Sequence, residues 1–120
     1  MEYMILIHSD ETFEAPAPGT PEFEAMMGEW FAYNQRLIDG GHWIAGANLM
    51  PTATATTVHR TMGNAPTITD GPYAESKEQF GGFYLISASD LDEAIELASS
   101  IPVPQASLEV RPVAFRPDAV

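Results

Sequence analysis

The chain has no cysteine at all. That excludes disulfides, thiolate metal ligands and a cysteine nucleophile in one step. It is also poor in positive charge: five Lys and Arg stand against seventeen Asp and Glu, for a formal charge of −12 over 120 residues. A surface so acidic repels phosphate backbones and anionic lipid headgroups, so neither nucleic acid nor membrane is an expected partner. Long apolar runs are missing as well. The opening Met1-Glu2-Tyr3-Met4-Ile5-Leu6-Ile7 has no basic region and is too short for a signal peptide or a membrane span, which points to a cytoplasmic protein. There is no GxGxxG, no Walker pattern, no HExxH and no histidine pair at i, i+4, so no cofactor and no metal site is expected. Neither Ser9 nor Ser76 carries the signature of an activated nucleophile.

What is present suits one globular domain over residues 1–120. Hydrophobic residues make up 45% and charged residues 18%, an ordinary balance for a chain that buries a core. Tyr3 to His8 is nearly continuous in apolar character and reads as a strand buried on both faces. An acidic, proline-containing loop follows to Gly19. Thr20-Pro21-Glu22 opens a helix with a hydroxyl cap, proline at the first helical position and a carboxylate near the positive end of the dipole. Phe23, Met26, Met27, Trp30, Phe31, Asn34, Leu37 and Ile38 recur at i, i+3, i+4, a stripe that only Asn34 interrupts. These side chains read as core packing rather than as a cofactor pocket. Gly40-Gly41 ends the helix.

Strands are expected at His42–Leu49, softened by Gly46, and at Thr54–Thr61, with a hairpin return at Pro66–Thr69 across the Met62-Gly63-Asn64-Ala65 turn. Ala74 to Gln79 has the makings of one helical turn. Phe80–Ser87 is the second strongly apolar strand, and its Gly81-Gly82 reads as a bulge or a close strand approach. Ser89 with Asp92 resembles a capping box. It precedes a short amphipathic helix through Leu91, Ala94, Ile95 and Ala98 that Pro102 closes. Ser107–Phe115 is the last strand, with Pro112 suggesting an edge, and residues 116–120 form a tail.

The order β-α-β, inserted hairpin, β-α-β is that of a ferredoxin-like α+β fold built from two split β-α-β units. In such a sheet the first strand of each unit is central, which suits the two greasiest runs, and the second lies at an edge, which suits Gly46 and Pro112. Two helices can cover only one face. The other face is expected to meet a second copy of the chain around a two-fold axis, giving a homodimer.

The stretch Thr69-Asp70-Gly71-Pro72-Tyr73-Ala74-Glu75-Ser76-Lys77-Glu78-Gln79-Phe80-Gly81-Gly82-Phe83-Tyr84-Leu85-Ile86 resembles the segment that names the DGPF-domain, or YCII-related, family, with Tyr73 where the family usually has Phe. Tyr3-Met4-Ile5-Leu6-Ile7, the Gly46 strand with Leu49-Met50-Pro51, and Glu109-Val110-Arg111-Pro112-Val113 are similar to that family too. The resemblance implies a dimeric α+β barrel and fixes no reaction, because such barrels include isomerases, monooxygenases and small-molecule binders. Some related YCII proteins carry a histidine on the first helix, proposed to act with an Asp as an acid-base pair. Here Thr20 to Gly40 holds no histidine, so Asp70 lacks that partner.

Two functional readings stand. In the first, a cofactor-independent lyase or isomerase-like enzyme acts on a small organic substrate. Asp70 is the acid or base, His8 is a second proton carrier, and Tyr73, Lys77 and Arg60 contact the substrate. In the second, the chain binds a small molecule without turnover, as an accessory protein. Family members often neighbour extracytoplasmic-function sigma factors in genomes, which suits that role. Asp70-Gly71-Pro72 reads first as a plain turn, which a catalytic Asp70 would not contradict. His42, just after Gly41, reads as a helix-end residue, and His59 as a strand-surface one.

Overall fold

A computed structural model describes residues 1–117; the rest of the tail, 118–120, lies outside the described residues. The elements are β1 (Glu2–Ser9), α1 (Pro21–Asp39), β2 (Trp43–Asn48), β3 (Thr56–His59), β4 (Thr67–Asp70), β5 (Gln79–Ser87), α2 (Leu91–Ser99) and β6 (Ser107–Pro112). Four strands form a sheet in the order β2-β5-β1-β6, every neighbouring pair antiparallel. The two most apolar strands are therefore central, and the strands with Gly46 and Pro112 are the edges, as the sequence pattern predicts. The architecture is α+β and compatible with a ferredoxin-like fold. β3 and β4 make a separate two-stranded sheet.

Local chemistry sets the ends of α1. The Thr20 hydroxyl accepts from the Phe23 amide at 3.2 Å, and Pro21 takes the first helical position. At the far end the His42 amide reaches back to the Leu37 carbonyl (2.8 Å) and the Gly41 amide to Ile38 (3.1 Å), with Gly41 at φ +75°. This is a Schellman closure, which needs a left-handed residue that glycine supplies without steric cost. The His42 side chain serves structure too: its Nδ1 lies 2.8 Å from the Ser87 carbonyl.

Alternation along the central strands sorts side chains to two faces. Tyr3, Ile5, Tyr84 and Ile86 join Tyr33 and Leu37 of α1 and Ala94, Leu97 and Ala98 of α2 in one core, with Ile5, Leu37 and Ile86 fully buried. The Tyr33 hydroxyl donates to the Leu97 carbonyl at 2.8 Å and ties the helices together. On the opposite face Leu6 faces Phe83 and Met4 faces Leu85 across β1 and β5; none of the four joins the helix-packed core, Leu85 being buried at 8% exposure and the others half-buried.

Several local expectations are corrected. Tyr33 belongs to the core although it lies off the expected stripe, while Phe31 and Ile38 point to solvent. A 3.6-residue period centred on Tyr33 and Leu37 turns those two away from the sheet. The cap of α2 is Asp90, one residue after Ser89. Its carboxylate accepts from the Glu93 amide (2.9 Å), and Glu93 reaches back to the Ser89 amide (2.8 Å). Ala74 to Gln79 forms bends and the start of β5, with no helical turn. β3 and β6 are shorter than expected, β6 stopping at Pro112.

Candidate functional site

Two clefts open near the C-terminal end of β1. The first lies between α1 and the sheet, encloses about 630 Å³, and owes its floor to glycine. A Cβ on Gly46 would sit 3.1 Å from both the Phe83 carbonyl and the Trp43 ring, and one on Gly82 would sit 2.8 Å from the Ala47 carbonyl. Only bare backbone fits at these points, so the sheet surface is low just where Met26, Met27 and Trp30 of α1 pass above it. Those three stay half-buried. Ile7, Trp43 and Val103 complete the apolar wall.

The polar features of this cleft are few and specific. The Tyr84 hydroxyl donates to Asn34 Oδ1 at 2.6 Å. Burial pushes the Tyr84 phenol above its ordinary range, so it stays a protonated donor. Among the described residues the Asn34 amide nitrogen makes no side-chain hydrogen bond, which leaves two donors for a ligand. At the rim Glu11 accepts from the Thr52 amide (2.9 Å) and hydroxyl (2.6 Å), pinning the loop after β1 to a 3-10 turn at Thr52–Thr54. No lysine, arginine or histidine lines this cleft.

The second cleft, about 640 Å³ and more open, is charged: His8, Asp10, Lys77 and Glu78 line it with Ser76, Gln105, Ala106 and Ser107. His8 Nε2 lies 3.2 Å from Glu109 Oε1, and the His8 ring stands 5.8 Å from that of Phe80. Asp10 accepts from the Thr12 hydroxyl (2.6 Å) and amide (2.8 Å). Those two bonds, with the Lys77 charge, hold its carboxyl below the usual range. Ser107 donates to Glu78 at 2.7 Å.

His8 and Lys77 are thus brought together. Asp70 is not with them. It ends β4, lines neither cleft, and its carboxylate makes no hydrogen bond among the described residues. Its turn is held by backbone: Gly71, at φ +104°, donates to the Ala55 carbonyl (2.8 Å) and accepts from the Thr57 hydroxyl (2.7 Å). Arg60 lies just beyond β3, and Tyr73 is 86% exposed. Glu109 and Asn34 escaped the sequence reading as site residues. The signal for Asn34 was its interruption of an apolar stripe; Glu109 had none, because its meeting with His8 depends on β1–β6 register. Among the described residues no three His, Asp or Glu side chains gather as a metal set.

The sequence model of the YCII-related domain matches residues 1–115. The chain belongs to the YCII-related family. An uncharacterised protein of Rhizobium meliloti (strain 1021) is 37% identical over 118 residues, covering 96% of this chain and 94% of its own length. The match spans both β-α-β units and the β3–β4 hairpin, so both clefts lie on the YCII-related domain itself. Among the described residues of this YCII-related chain no helix is long and apolar enough to cross a membrane.

Proposed function

We propose that this YCII-related chain binds a small organic molecule in the cleft between α1 and the sheet, without turning it over. The observation that carries this reading is the composition of that cleft: a glycine floor, apolar walls and the Asn34–Tyr84 pair, while its one carboxylate, Glu11 at the rim, is taken up by the Thr52 amide and hydroxyl. Mostly apolar clefts with a few convergent polar groups are the usual form of small-molecule sites. Acid-base catalysis through Asp70 has less support, since its carboxylate lies outside both clefts of its own chain. A second reading keeps His8 as a proton carrier, supported by the Glu109 carboxylate at 3.2 Å and by Lys77 in the same cleft.

The apolar sheet face opposite the helices, with Met4, Leu6, Phe83 and Leu85, supports pairing of two copies into an α+β barrel. A thermal-shift screen of small metabolites tests the binding reading, because a ligand of the folded state must raise its stability. Binders should raise Tm in the parent and fail to do so in Met27→Trp, which narrows the cleft. Hits that act equally on both chains would refute the assignment of the site.

A further inference from the structure

From Gly40 to Thr69 the chain has no Asp or Glu, although it has seventeen in all. The same run holds Arg60, so it is net positive inside a chain of charge −12. Most of it is the β3–β4 hairpin with its approaches. That hairpin is poorly held by its own chain: β3 and β4 pack on each other, and no other strand or helix packs closely on either among the described residues. Its base is clamped through Glu11 and Thr52 and through the Leu49 amide to the Gly81 carbonyl (2.8 Å). Beyond the base it projects. The radius of gyration is 16.7 Å, against about 14 Å for a compact chain of this length.

An isolated two-stranded hairpin is marginal in water. This one also exposes apolar surface. Val58 and Ile68 face each other across the strands at 58% and 66% exposure, and Met62 in the turn is 83% exposed. Polar solvent gives such a pair no reason to stay ordered, whereas an apolar surface with an acidic rim would. The body of this same chain offers such chemistry: its sheet face opposite the helices is apolar, and every described carboxylate except that of Asp70 lies outside the hairpin.

We infer that the β3–β4 hairpin is an arm that docks on a second copy of this chain, its apolar pair against the partner's body and Arg60 against the partner's carboxylates. The arm carries Asp70 and Tyr73 at its return, so residues that line neither cleft of their own chain are presented to the partner. This inference rests on the homodimer reading above.

Sedimentation equilibrium of three chains separates the two ideas. The parent should be a dimer, the Val58→Asp/Ile68→Asp variant a monomer with unchanged far-ultraviolet circular dichroism of the body, and Arg60→Glu a dimer weakened about five- to tenfold. A parent dimer matched by equally tight dimers of both variants would overturn the arm and leave pairing through the sheet face. A monomeric parent would overturn both. Since the chain has no cysteine, Met62→Cys gives a single spin-label site. In mixed dimers the label should broaden resonances of an unlabelled, isotope-enriched partner, and their absence in a dimeric sample would contradict the arm.

Discussion

The two β-α-β units share one topology and treat their helices differently. α2, only nine residues long, buries Ala94, Leu97 and Ala98. α1 spends nineteen residues to bury Tyr33 and Leu37. Small side chains at Ala94 and Ala98 let the α2 backbone settle close to the sheet. The first turns of α1 carry Met26, Met27 and Trp30 instead, over strands reduced to glycine at Gly46 and Gly82. Large groups above and none below leave a gap. One unit is closed for stability, and the other is closed only at its C-terminal half, where Leu37 anchors it, and open at its N-terminal half.

The largest effect that would break this comparison is at the anchor. Leu37→Ala, at a fully buried site, should cost about 2–5 kcal/mol in urea unfolding; a loss under 1 kcal/mol would mean that α1 is not pinned there. Next comes an added volume on either side. Ala94→Leu should cost about 1–3 kcal/mol by overpacking, while Met27→Trp should change stability by no more than about 0.5 kcal/mol because it enters open space. Equal costs would erase the distinction between the units.

Tyr33→Phe is smaller again, about 0.5–1.5 kcal/mol for one lost hydrogen bond, since the Leu97 carbonyl keeps the Ser100 hydroxyl at 3.0 Å. It also changes the response to alkali. Burial raises the Tyr33 and Tyr84 phenols above their ordinary 10.0. The native chain therefore keeps protons that the unfolded chain releases, and stability is complete below pH 10 and falls as pH rises beyond it. Tyr33→Phe should flatten that fall, and an unchanged alkaline limb would contradict the burial argument.

The smallest effect lies at the exposed ends. Arg116 grips Glu2 at 2.9 and 3.0 Å. Its hydrogen bond, then its charge, lowers the Glu2 carboxyl from 4.5. That contribution is present above pH 4.5 and lost as pH falls through the folded value, so Glu2→Gln should soften the acid limb of the stability profile slightly.

Much of the fold was legible in the residues. Continuous apolar runs marked Tyr3 to His8 and Phe80 to Ser87 as central strands, and Gly46 and Pro112 marked the edges, because a strand buried on two faces must be apolar on both. Thr20 and Gly41 marked the ends of α1 through cap chemistry that is local in sequence. The cleft was less legible. Met26, Met27 and Trp30 have the period of a packed face, and nothing in that period tells whether the surface opposite is filled. The answer sits in Gly46 and Gly82, on other strands, and needs the register of β2 against β5. Asp70 stood out as a motif, yet the hairpin carries it away from both clefts, a consequence of an arm that the alternating Thr and Val residues cannot reveal.

The chain has two tryptophans, Trp30 and Trp43, and both line the cleft between α1 and the sheet. Intrinsic fluorescence therefore reports on that cleft alone. Titration with a compound that raises Tm should give a saturable change in tryptophan emission with the same midpoint as the stability gain, and Met27→Trp, read by Tm, should abolish the gain. A compound that stabilises the chain while tryptophan emission stays constant would place its site elsewhere and contradict the central claim.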